Sequence, residues 1–273
     1  MSDAADSYVQ DWRAARPLRD LALRFVPADA AGLCSLLALQ EQLFAARLSS
    51  PEPGALKLDW WSEELSGFGR AAPRHPLTQA LQADARSARV PTAAWAEAAS
   101  ALHAALQAPA SASAAAQRAA AGAAVEPWAR VECAFFAGPQ ADATRTQQVL
   151  ALQLLLADLL RLPARAGGGP LPLPLDALAR HGLDRAALAA DGTARRAALT
   201  EQCRWLQAEL AQALHRPEPL LPLRALEAAH DHRALRRAAR AREPLAALQI
   251  ARAALTPADA WRCWRQLRRA APA

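Results

Sequence analysis

Residues 29–48, DAAGLCSLLALQEQLFAARL, carry the reading that decides the fold. Leu33, Leu36, Leu37, Gln40 and Phe44 recur at three- and four-residue spacing, the signature of a helix burying one stripe. SSPEPG, residues 49–54, ends it with turn formers. Beyond that stop the pattern repeats. A second helix is expected over 55–68, and a third opens at Pro76, where a missing N–H costs nothing. Thr92 is read as the cap of a fourth. APASAS, 108–113, reads as a linker before a helix interrupted at Pro127. Residues 140–162 read as the most buried helix, and 164–176, ARAGGGPLPLPLD, as an irregular connector. Long helices follow over 193–215 and 219–240, and a last one opens at Thr256-Pro257-Ala258-Asp259.

Composition agrees with an all-helical chain. Apolar residues make up 53% of 273, much of that alanine, with 11 glycines and a single tyrosine, a balance that favours helix over sheet. The apolar faces on either side of 108–113 need partners, so one domain spanning 1–273 is expected. The net charge is +6 and Lys57 is the only lysine, so the cationic charge is almost all arginine. That excess is modest for the length, which disfavours nucleic acid while permitting anionic lipid or diphosphate partners. Cys34, Cys133, Cys203 and Cys263 are far apart with no CxxC pair, so neither a zinc site nor a disulfide framework is indicated. The longest apolar stretch, 149–162, is interrupted by Gln153 and Asp158, and the N-terminus has no apolar core. A cytoplasmic protein, peripheral at most to the inner membrane face, is expected.

Three segments carry a resemblance. PGALKLDWWSEEL (53–65), Arg74-His75-Pro76-Leu77 with Ala80-Leu81, and LPLPLDALARHGLD (171–184) are similar in wording, order and spacing to motifs of the squalene/phytoene synthase family. The C-terminal AWRCWRQLRR (260–269) is similar to the tail of short bacterial members and of a mitochondrial respiratory complex I assembly-factor branch. The resemblance covers roughly residues 20–240 and implies one large helical bundle of the isoprenoid synthase type, with the helices of Gln42 and Asp158 facing each other across a central cavity. It also implies two aspartate-rich motifs holding Mg²⁺, which assists departure of pyrophosphate from prenyl diphosphates.

The departures fall on those motifs. Counted back from Trp60 and Trp61, the first motif's acids fall at about Gln42, Leu43 and Ala46, while the adjacent Glu41 points about 100° away on a helix. Counted back from Leu173 and Pro174, the second motif's acids fall near Arg161 and Arg165. Asp158, one turn before Arg161, reads as half of an intrahelical pair. The implied reading is a catalytically inactive family relative that binds a lipid or isoprenoid or acts in assembly or scaffolding, with no cofactor. One alternative is an active prenyltransferase with Mg²⁺, marked by four or more carboxylates converging on the cavity. Another is a partner-binding scaffold with the cavity filled.

Ligand-cavity candidates are Gln42, Trp60, Trp61, Asp158, Arg161 and Arg165, the two arginines as metal-free partners of an anionic headgroup. Core packing competes for the tryptophans, and drift to solvent-facing arginine for the cations. Glu63 and Glu64 read as a solvated face, and His75 and His181 as capping or surface residues. His230-Asp231-His232 fails as a metal clip because i and i+2 share no helical face, and Gly167–Gly169 lacks the lysine of a phosphate loop. Arginines over 233–242, with Trp261, Trp264, Arg265, Arg268 and Arg269, combine cations and indoles as membrane-surface helices do. The competing reading packs those tryptophans inward.

Overall fold

Proline sets many of the helix starts in the computed structural model, which describes residues 3–25, 31–70, 72–138, 142–162, 170–218 and 220–270. The helices are α1 (Asp3–Ala14), α2 (Pro17–Leu23), α3 (Ala31–Arg47), α4 (Pro51–Ser66), α5 (Pro76–Gln82), α6 (Thr92–Gln107), α7 (Ala114–Ala137) and α8 (Thr144–Leu160). After them come α9 (Leu175–Arg180), α10 (Arg185–Ala189), α11 (Thr193–Leu214), α12 (Pro222–Ala238), α13 (Pro244–Ala253) and α14 (Pro257–Ala270). No strand occurs among the described residues, and a 3₁₀ turn spans Ala85–Arg89. Pro17, Pro51, Pro76, Pro222 and Pro244 each stand in the first turn of their helix, where an N–H would lack an intrahelical acceptor.

Several starts and stops differ from the expectation. Thr92 is the first residue of α6, not its cap, which is Pro91 with no side-chain bond. Pro127 does not interrupt α7, which runs through it from the Ser113 cap. The helix gives up only the bond that Pro127 has no N–H to make, and burial of Pro127 between Val125 and Trp128 compensates. Gly182, at φ +61°, closes α9, a helix not assigned from the sequence: Leu183 N–H donates to the Leu178 carbonyl at 2.9 Å, a left-handed turn that suits glycine. α1, α2 and α13, unassigned from the sequence, are short helices whose apolar faces rest on longer neighbours.

Successive helices pack on one another from α3 and α4 through α6, α7 and α8, and then α11, α12 and α13. α1 rests on α3 and α5, while α2 and α12 receive α14. Gly54 allows the α3–α4 approach, since a Cβ there would stand 2.7 Å from the Ala46 carbonyl oxygen. α8 touches both runs of helices, which is why residues 149–156 are buried on every side. α3 is also wider in its burial than one stripe, with Ser35, Ala38 and Leu39 as buried as Leu36 and Leu37. One continuous apolar core extends from Val9 to Leu267.

Candidate functional site

α3 and α8 meet through charge. Arg47 Nη1 donates to Asp158 Oδ1 at 2.5 Å, with both side chains buried. Asp158 therefore reaches across to α3 and does not form the expected intrahelical pair with Arg161. Glu41 is held by Arg19 Nη2 at 2.8 Å.

Deeper between the helices lies a network that the sequence reading missed. Arg224, on α12, donates to Glu132 at 2.6 Å, Gln40 at 2.5 Å, Gln153 at 3.0 Å and Glu227 at 3.2 Å. Arg19 Nε donates to Glu227 at 2.8 Å, and Arg16 Nη2 to Asp231 at 2.5 Å. Arg252 and Gln153 complete Asp231, at 2.9 and 3.2 Å. Residues 224, 227 and 231 recur at three- and four-residue spacing, so one face of α12 carries them all. That spacing was the available signal; the partners on α2, α3, α7 and α8 are distant in sequence.

Burial alone would raise the Glu227 carboxyl, but Arg16, Arg19 and Arg224 hold it well below the usual carboxylate range. Asp231 is lowered in the same way by Arg16 and Arg252 against its burial. The Arg224 guanidinium is raised, since Glu132 and Glu227 outweigh its desolvation. Glu132, Glu227 and Asp231 meet in this network with Glu41 nearby, each bonded to arginine, and only Glu41 and Glu227 line the adjoining cavity. Among the described residues no group of three or more His, Cys, Asp or Glu is disposed to hold a metal ion.

Two of the cavities along α8 adjoin these charges. A polar one of about 190 Å³ is lined by Arg16, Arg19, Arg161, Arg224 and Arg252, with Glu41 and Glu227 as its carboxylates. Arg161 is exposed and makes no ion pair among the described residues. The other, of about 420 Å³, has alanine walls from α6 and α7, among them Ala105, Ala121 and Ala124, and the Arg47–Asp158 pair lies in its lining. Residues 155 and 158 of α8 face this cavity, while 153, 157, 160 and 161 face the polar one. The two spaces lie on different faces of α8.

Of the cavity candidates, Asp158 and Arg161 line these spaces, and Arg165 lies outside the described residues, as does Gly167–Gly169. Gln42 is half-buried on α3 and lines neither cavity; Gln40, Glu41 and Phe44 line the polar one instead. Trp60 and Trp61 sit away from both, on α4. Trp61 is buried and packs on His75 at 4.7 Å between ring centroids; Tyr8 covers the other side of His75 at 4.6 Å.

The reading of Glu64 as a solvated residue is overturned by its burial. Its carboxylate accepts from the N–H groups of Arg74 and His75, both at 2.9 Å, and from Thr78 Oγ1 at 2.6 Å. These bonds keep it below the usual carboxylate range although burial opposes them. His75 caps α5, its Nδ1 accepting from Leu77 N–H at 3.1 Å. The WWSEEL and RHP segments are therefore one structural joint.

His230, Asp231 and His232 diverge. Asp231 enters the network, His230 Nε2 lies 3.2 Å from the Ala254 carbonyl, and His232 meets Gln207 at 3.3 Å. On α14, Asp259, Cys263 and Leu267 face inward, whereas Trp261 and Trp264 are 53% and 43% exposed, opposite to the inward-packed alternative. The Arg265 guanidinium stacks over Trp261 at 4.6 Å. The side chains of Arg268 and Arg269 lie outside those described. No helix among the described residues is long and apolar enough to cross a membrane.

No protein-family model matches the chain, and no curated protein does.

Proposed function

We propose that this protein is a catalytically silent relative of the squalene/phytoene synthases, with an isoprenoid synthase type of bundle, that holds an amphiphile instead of converting it. The observation that carries the reading is the chemistry between α3 and α8: Asp158 is locked to Arg47 and Glu41 to Arg19, beside a cavity dominated by arginine. Mg²⁺ prefers several free hard oxygen ligands, so the residues present do not fit the implied metal. Removing even one well-placed electrostatic stabiliser costs an enzyme about 3 kcal/mol, roughly a hundredfold in rate.

The alanine-walled cavity supplies room for an apolar chain, in the size range of ligand pockets. An isoprenoid or acyl tail lies against Ala105, Ala121 and Ala124, with its polar end toward the Arg47–Asp158 pair. The ion network favours a second reading, a scaffold whose former active-site volume is filled by side chains, here charged and mutually bonded instead of apolar.

Solvent extraction of the purified protein followed by mass spectrometry tests the first reading. A stoichiometric isoprenoid or lipid is expected from the wild type and its loss from Ala121→Phe, which fills the cavity wall. A protein free of lipid, with unchanged melting on addition of a prenyl alcohol, would leave the filled scaffold. Incubation with radiolabelled prenyl diphosphate and Mg²⁺ is expected to give no condensation product. Metal-dependent turnover above a heat-killed control would restore the active prenyltransferase.

A further inference from the structure

The last turns of α12 and the start of α14 enclose a cleft of about 350 Å³ on the other side of the molecule's charge network. Its lining includes His230, Arg233, Arg236, Arg237, Thr256 and Arg262, and Asp259 is its one carboxylate. Asp259 accepts from Arg233 and from Arg262, and its other oxygen closes the α14 start by accepting from Thr256 N–H at 2.9 Å. That leaves Arg236 and Arg237, both exposed, with no ion pair among the described residues.

Arginine is crowded here. Burial, together with the nearby Arg262 and Arg237, pushes the Arg233 guanidinium below its ordinary value despite Asp259. His230 is 4% exposed, and its Nδ1 is a buried polar atom with no hydrogen-bond partner. With Nε2 donating to the Ala254 carbonyl, that Nδ1 is an acceptor, so the attraction of the cleft for an anion comes from its guanidinium groups. The cleft thus has cations in excess of carboxylates.

Beside it stands the outward face of α14 with Trp261 and Trp264. Leu255 and Ile250, in the preceding segment, are 40% and 70% exposed. Indoles flanked by guanidinium groups suit the boundary between acyl chains and headgroups, because the ring's apolar body and its N–H are accommodated at once.

We propose that this corner docks on the surface of an anionic phospholipid bilayer, the cleft receiving a headgroup phosphate while Trp261 and Trp264 enter the interface. Charge complementarity selects the occupant: guanidinium forks bind phosphate oxygens in pairs, and the apolar side chains adjoining them are exposed and discontinuous, unlike the packed centre of a protein interface. The site is separate from the α8 cavities and stands whether or not those hold a ligand.

Co-flotation with vesicles tests it, using phosphatidylcholine alone and a phosphatidylcholine–phosphatidylglycerol mixture. The wild type is expected to float with the mixed vesicles only, to be released by salt, and to show a blue shift in tryptophan emission. Each arginine at an anionic surface is worth on the order of a fivefold gain in partition, so Arg236→Gln with Arg237→Gln should reduce it roughly thirtyfold. Trp261→Ala with Trp264→Ala should abolish the blue shift and weaken flotation. All four positions are exposed, so circular dichroism should match the wild type. Equal recovery with neutral and mixed vesicles would overturn the proposal. So would undiminished flotation of the arginine variant, or saturable binding of free glycerol phosphate without vesicle binding.

Discussion

The two ends of α12 use arginine in opposite ways. Near its start, Arg224 is 4% exposed and bonded to Glu132, Glu227, Gln40 and Gln153; in its last turn, Arg236 and Arg237 lie in water without carboxylate partners. The helix dipole sharpens the contrast, because it disfavours a cation in the first turn and favours one in the last. Arg224 is therefore tolerated only through its partners, and breaking the pairs strands a buried charge. Arg236 and Arg237 need no partners to be stable and so remain available. One composition, rich in arginine, yields an internal lock and an outward-facing cationic patch.

Acid should separate the two ends most strongly. The folded pKa values of Glu227, Asp231 and Glu64 lie below their unfolded values, so between the two values the unfolded chain binds more protons. Stability from these groups is full above about pH 5 and is lost as pH falls through the depressed folded values. His75 and His230, also lowered, chiefly by burial, add an earlier loss below about pH 6.5. Urea midpoints recorded across that range should fall monotonically on acidification. A midpoint that does not move between about pH 5 and pH 2.5 would show that the lock contributes nothing.

Glu227→Ala is the next largest effect. It leaves Arg16, Arg19 and Arg224 short of a buried carboxylate, and breaking a buried pair on one side costs about 3–5 kcal/mol. Against total stabilities of roughly 5–15 kcal/mol that is a large fraction, and calorimetry or urea denaturation should record it. A loss near that of an ordinary surface change would mean that water replaces the carboxylate.

The smallest effect on folding belongs to the other end. Arg236→Gln with Arg237→Gln should lower stability by about 0.5–1 kcal/mol, the contribution of last-turn cations to the dipole. A loss as large as that of Glu227→Ala would show that the patch is part of the lock.

The sequence made the helices legible because their signals are local. Pro76 at a helix start, the break at 108–113 before α7 and the apolar run of α8 each act within a few residues. The same reasoning failed where a side chain answers to a remote partner. Glu64 looks like one of two surface acids, but it is buried because residues 74–78 return to it. Asp158 has a tempting neighbour in Arg161, yet it pairs with Arg47 on α3. Pro127 breaks isolated helices, and a packed α7 carries it.

Periodicity, turn residues and composition thus determined by themselves that the chain is all helix and where most helices begin. They also placed indoles and cations together at the C-terminus. Tertiary structure alone decided which charges are paired, that α8 borders an arginine-lined cavity on one face and an alanine-walled one on another, and that Trp261 and Trp264 face outward. The physical reason is range: helix formation is set by bonds four residues apart, whereas an ion pair such as Arg47–Asp158 joins residues 111 apart, whose meeting follows from the packing of all the helices between them.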